Sequence, residues 1–231
     1  MKAKSAAATP STPRTSFPLD LFQSRSPATS DSAQTPSSWA STANVIAFLQ
    51  QTGLGAGGSS GIWVLPMEGD RKPRLFLESR FNLTYPEFSP DGHWMAYVSN
   101  ESGANEVYVQ PYPGPGEKIR ISTDGGTQPI WNANGRELLY TGPTRSGQGF
   151  KGFFSAAIRS LSPFRADTPR LLFEAKANEY GGTTPVRGWD VSADGQRFLH
   201  ARRVESTDKP VTVMHVVQNW TEELKRLVPT K

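Results

Sequence analysis

The sequence contains no cysteine in 231 residues, which excludes disulfides, thiolate metal sites and cysteine nucleophiles. Either a reducing or an oxidising compartment is compatible with that absence. Histidine is nearly absent too, with three copies. No apolar run approaches the roughly 18 residues of a membrane-spanning helix. Charge of one sign is also scarce, because 25 basic residues against 21 acidic ones leave a formal net charge of +4. So small a surplus is no electrostatic footprint for nucleic acid, and none is expected as a partner. The N-terminal stretch "MKAKSAAATPSTPRTSFP" starts basic but lacks the apolar core of a signal peptide. As written, the chain is expected to be soluble, with the cytoplasm as the default compartment.

What is plentiful is Gly (21), Pro (19) and aromatic residues, in a chain only 36% hydrophobic. That mixture suits many short strands joined by turns better than long helices. Residues 1–36 are dense in Ser, Thr, Pro and Ala, bury little, and read as a disordered tail. One exception inside the tail is "PLDLFQS" at 18–24, a candidate short strand.

From Trp39 onward the chain repeats itself. "FSPDGHWMAYVS" begins at Phe88, "WNANGRELLYTG" at Trp131 and "VSADGQRFLHAR" at Val191. In each, an apolar residue precedes a small or polar pair, then Asp91-Gly92, Asn134-Gly135 or Asp194-Gly195, then an apolar run. Asp-Gly and Asn-Gly are strong hairpin signals because both residues tolerate the positive φ that a tight turn demands. "WASTANVIAFLQ" from Trp39 is an eroded copy in which Ala43 stands at the glycine position.

A second strand follows each run, at Gly61, Asn105, Gly152 and Val211, and a third follows in three copies, at Pro73, Glu117 and Pro169. With the short strands "YPEF", "QPIW" and "RGWDV" before the turns, each unit holds four antiparallel strands. A period of roughly 40–50 residues with four strands per unit is the pattern of a β-propeller blade. The near-continuous apolar runs fit strands covered on both faces by neighbouring blades. The expected architecture is therefore all-β: a propeller over 37–231, with blades at about 39–79, 82–123, 127–175 and 185–218. The stretch "NWTEELKRLVPTK" predicts a short C-terminal helix over 220–228, capped by Asn219 and stopped by Pro229.

The "SPDG" blades resemble those of TolB-type, WD-repeat-like (PD40) propellers of bacteria. Three longer stretches resemble something more particular: "GIWVLPMEGDRKPRLFLESRFN", "SNESGANEVYVQPYPGPGEKIRISTDGGTQPIW" and "VSADGQRF…VVQNWTEELKRL". They are similar to the C-terminal propeller of bacterial serine/threonine kinases of the eukaryotic type, over about Trp39 to Leu227. The glycine-rich phosphate loop, the "HRD" loop and "DFG" are absent, so the resemblance implies no kinase activity. It implies a sensor or interaction module, which would be periplasmic if part of a membrane-anchored kinase. Such propellers usually have six blades, whereas about four are legible here, so an incomplete ring is expected. Its open strand edges would favour self-association.

Several residues invite a chemical reading, and each has a plainer one. "GGSSG" at 57–61 matches G-x-S-x-G, which would make Ser59 or Ser60 a nucleophile in a propeller-type hydrolase. The nucleophile elbow needs a strand before the serine and a helix after it; here a glycine loop runs into a strand, so a hairpin loop is the expectation. His93, His200 and His215 lie on separate strands without ligand spacing, and neither a metal nor a cofactor is expected. Asp91 and Asp194 could pair as carboxylates, but their equivalent turns explain both. Arg197, Arg202 and Arg203 form a small basic cluster that reads as a solvated strand end. Trp63, Tyr108, Tyr112 and Trp131 read as filling between sheets in preference to a binding surface. Sequons at Asn82, Asn100 and Asn219 carry no message without secretion. The expected function is a non-catalytic protein-interaction or sensing module, engaging a protein or small ligand at the loops or central channel. No catalytic, metal or cofactor residue is assigned, and the ligand-binding residues are not legible.

Overall fold

The computed structural model describes residues 33–52, 59–147, 149–176 and 187–200, and every regular element there is a β-strand. Four strands, β1 (Ala33–Ala40), β2 (Val45–Thr52), β3 (Ser59–Pro66) and β4 (Arg74–Ser79), form the first antiparallel sheet in chain order. The second repeats that meander with β5 (Leu83–Phe88), β6 (Trp94–Ser99), β7 (Glu106–Pro111) and β8 (Ile119–Arg120). The third contains β9 (Thr127–Trp131), β10 (Glu137–Gly142), the long β11 (Phe150–Leu161), a returning β12 (Phe164–Ala166) and β13 (Arg170–Lys176). Both β12 and β13 pair with β11, along different parts of it. A fourth sheet is described for β14 (Trp189–Val191) and β15 (Phe198–His200).

Two elements depart from the sequence expectation. The first strand begins at Ala33, inside the stretch expected as tail, and β12 is an extra strand between the second and third strands expected for the third blade. The candidate strands at 18–24 and 211–217, and the helix over 220–228, lie outside the described residues.

Alternation along each middle strand explains the unbroken apolar runs. On β6, Met95 and Tyr97 pack against the first sheet, while Ala96 and Val98 pack against the third. On β10, Leu138 and Tyr140 meet the second sheet and Leu139 meets the fourth. A strand between two sheets has no wet face, so both parities favour apolar residues.

The turns repeat atom by atom. The amide of Gly92 donates to Ser89 O at 2.8 Å, that of Gly135 to Asn132 O at 2.8 Å and that of Gly195 to Ser192 O at 2.7 Å. All three glycines have positive φ, at 75°, 68° and 71°. Asp91 Oδ1 accepts from His93 N and the Ser89 hydroxyl; Asp194 does the same with Gln196 N and Ser192. Both aspartates are therefore turn acceptors. In the eroded first copy the left-handed residue is Asn44, φ 49°, and not the aligned Ala43.

Candidate functional site

Each sheet presents its first strand, β1, β5, β9 or β14, at one edge. On β1, β5 and β9 the ladder loses register at equivalent places: between Pro36 and Ser38, between Thr84 and Glu87, and opposite Leu139–Thr141. The last two read Thr84-Tyr85-Pro86-Glu87 and Thr127-Gln128-Pro129-Ile130. Proline has no N–H to give the ladder, so one residue bulges out. The residue before it takes a left-handed backbone, φ 52° at Tyr85 and 55° at Gln128. Non-glycine residues held there cost about 1–3 kcal/mol and persist only where the surroundings over-determine them. Both side chains are buried, and the Gln128 amide reaches the Tyr85 hydroxyl at 3.5 Å.

Where the inner strands converge lies a cavity of about 550 Å³. Its walls are Thr35–Ser37 of β1, Tyr85–Glu87 of β5, Arg187–Asp190 at the start of β14, and Leu199 and His200 of β15. Arg187 ties three sheets together there. Its Nη1 donates to Glu87 Oε2 at 3.0 Å and to Pro129 O at 3.1 Å, and its Nε donates to Trp189 O at 3.2 Å. Burial pushes the Glu87 carboxyl above its ordinary range; Arg187 pulls it back down, and the charge of Asp190 raises it a little more. The wall on the β15 side is open, with Leu199 exposed over 74% of its surface. A half-polar cavity with one internal ion pair and an open apolar lip can hold a ligand by shape and hydrogen bonding.

Apart from His200, the described residues marked by sequence lie elsewhere. Ser59 and Ser60 open β3 and are not in a loop, which corrects the expectation for them. The Ser60 hydroxyl is buried, donates to Leu83 O and accepts from Leu83 N. Serving as both donor and acceptor to the next sheet, it has a structural task. A serine-directed fluorophosphonate is expected to leave Ser59 and Ser60 unmodified; adduct mass on the peptide carrying them would contradict this.

His93 is exposed, with Nδ1 3.7 Å from Asp91, and His200 lies at the cavity. His215, Arg202, Arg203 and Asn219 lie outside the described residues. Among the described residues no group of three His, Asp or Glu is placed to hold a metal ion. Arg197 is exposed and 4.0 Å from Asp194. Tyr108, Tyr112 and Trp131 pack between sheets, as expected, whereas Trp63 lies with Phe48 on the face of the first sheet turned away from the second, which corrects the expectation for it. Trp63 stacks on Phe48, Tyr108 on Tyr97, and Tyr112 meets Phe88 edge-on; the Trp131 indole donates to Glu87 O at 3.3 Å. Asn82 and Asn100 hold the link between sheets one and two, Asn82 N donating to Asn100 Oδ1 at 2.9 Å. Glu87 and Arg187 were missed. The one available signal was the repeated Thr-x-Pro before the turn, which marks the strand level but not the charge.

No family model matches the chain. It is 29% identical over 126 residues to the Tol-Pal system protein TolB of Ruthia magnifica, an alignment covering 53% of this chain and 29% of that protein. Among solved structures, an oligogalacturonate lyase in complex with manganese superposes with a TM-score of 0.58 at 13% identity, over 77% of this chain and 48% of the other. TolB from Acinetobacter baumannii does so with a TM-score of 0.53 at 14% identity, over 75% and 38%. The chain thus spans under a third of the length of the TolB relative. These likenesses support a TolB-like β-propeller fold, with the antiparallel four-stranded sheets as its blades.

Proposed function

We propose that this propeller is a protein-interaction or sensing module whose partner enters the cavity where the inner strands converge. The observation that carries the reading is the three-sheet clasp at Arg187, which fixes the walls of that cavity beside an open, apolar lip. Similarity to a Tol-Pal system protein supports the interaction reading at the level of fold. Immobilised chain is expected to retain a partner from a lysate of its native host. The double substitution D190R/L199D, at two exposed positions of the lip, is expected to abolish retention with the circular dichroism unchanged. Equal retention by the variant, or none by the wild type, would end the reading.

A narrower form makes the module the sensor portion of a serine/threonine kinase signalling protein. Its support is the run of stretches from Gly61 to Asn82 and from Ser99 to Trp131 that resemble such propellers. A kinase reading frame continuous with or adjacent to this one is the expected finding, and an unrelated genomic setting would remove it.

A further inference from the structure

One of the three repeated turns carries an amide where the other two carry an acid. Asn134-Gly135 stands at the place of Asp91-Gly92 and Asp194-Gly195, and no other Asn in the chain precedes a glycine. The amide nitrogen of a glycine can close a five-membered ring on the preceding asparagine carboxamide, because glycine has no Cβ to hinder the approach. A carboxylate resists the same attack, being already negative.

The structure separates this turn from its two copies by restraint. Asp91 and Asp194 are each held by two donors, a serine hydroxyl and an amide two residues on. The Asn134 carboxamide is held by one, the Arg136 amide, 2.8 Å from Oδ1. That bond makes an Asx turn, which folds the carboxamide back along the chain past Gly135. The surroundings differ as well. A Cβ at Gly92 would come 2.8 Å from Thr42 Oγ1, and one at Gly195 2.5 Å from Asn132 Nδ2, whereas one at Gly135 would meet nothing within 4 Å. Asn134 and Arg136 are exposed. What restrains the Gly135 nitrogen is its turn bond to Asn132 O, 2.8 Å. This bond must open before the nitrogen can attack, and the space around the glycine lets it open locally.

We propose that Asn134 is a site of self-modification, where the folded chain converts this amide to a carboxylate with water as the only co-reactant. Solvent hydroxide takes the Gly135 amide proton, the nitrogen forms a bond to Asn134 Cγ, and the carboxamide nitrogen leaves as ammonia. Water then opens the succinimide at either carbonyl. One opening leaves aspartate, the other isoaspartate, with the main chain running through the side-chain carbonyl; no oxidation state changes. The formal net charge falls by one from +4. The new charge arises in a groove of about 450 Å³ whose walls include Asp91, Arg136 and Arg159. In its aspartate form the third turn carries the residue with which the other two already fold. Asn134 lines no part of the cavity at Arg187, so this inference stands apart from the reading of that cavity.

Ageing the folded 231-residue chain in mildly alkaline buffer tests it, with peptide mass spectrometry after digestion and isoaspartyl methyltransferase labelling to detect the rearranged product. Asn134 is expected to convert at least about tenfold faster than any other asparagine, yielding both aspartate and isoaspartate. N134Q, whose ring would need a sixth member, is expected to keep its amide at that position and to release correspondingly less ammonia. An Asn134 that stays an amide in buffer and converts only in urea would overturn the inference, as would conversion no faster than at the other asparagines. Aspartate without isoaspartate would overturn it too, because direct hydrolysis of the side chain never rearranges the backbone.

Discussion

Replacing Arg187 with alanine should lower stability by about 3–5 kcal/mol at neutral pH, the usual cost of removing one partner from a buried ion pair. The side chains of Arg187 and Glu87 are only 23% and 16% exposed, so solvent screens the pair weakly. The substitution removes more than the pair. The Pro129 and Trp189 carbonyls also lose their donor, and the tie between the second, third and fourth sheets goes with them. Urea unfolding, compared with the wild type, measures the loss.

The deficit should depend on pH in a defined direction. The Glu87 carboxyl already lies above its ordinary value of 4.5 because burial disfavours its charged form, with Arg187 opposing that shift. Without the guanidinium the opposition disappears, and the folded-state value moves further above the unfolded one. A carboxyl raised in this way stabilises the fold in its protonated form, fully below the unfolded value, and that contribution is lost as pH rises through the folded value. The gap between R187A and wild type should therefore be widest at pH 7 and narrower near pH 5. Adding E87Q to R187A removes the stranded charge and should restore part of the stability at pH 7. A gap that stays constant with pH, or a double variant no better than R187A, would show that the carboxylate charge is not the cause.

The sequence made the turns legible and left the clasp hidden, for physical reasons that individual residues illustrate. Gly92, Gly135 and Gly195 could be located because a left-handed turn residue must be glycine or a close substitute, a local demand written at a fixed position. The eroded copy misled by one residue. Ala40 pairs directly with Val45, so the loop is short and its left-handed residue is the Asn44 that borders β2. The strands of the blades were legible because burial on both faces forces apolar residues at both parities. By contrast, the strained backbones of Tyr85 and Gln128 arise from a bulge that neither residue type announces. Arg187 and Glu87 lie a hundred positions apart in sequence, joined only once the sheets are stacked, and no local spacing records that.

Replacing Phe153 with alanine is expected to cost about 3–5 kcal/mol and to loosen the fourth sheet selectively. Phe153 is 1% exposed on β11 and is the hub of an aromatic cluster between the third and fourth sheets. Its ring stacks on Phe173 at 4.5 Å, meets Trp189 edge-on at 5.3 Å and reaches Phe198 at 6.1 Å. The indole ring of Trp189 is held in this cluster by packing, since among the described residues its N–H finds no hydrogen-bond partner. Removing the hub therefore withdraws a central contact of β14 and β15 with the third sheet, and loosens the wall of the cavity that carries Arg187, Asp190 and Leu199. Hydrogen exchange should accelerate at 189–191 and 198–200 while β2 and β6 keep their protection. F153L, which retains most of the apolar volume, should lose far less stability. Partner retention should fall in F153A although every polar group at the cavity is still present, because those groups no longer share one rigid frame. Uniform acceleration of exchange across all four sheets would instead show that the blades unfold as one unit and that this aromatic hub does not set the shape of the site.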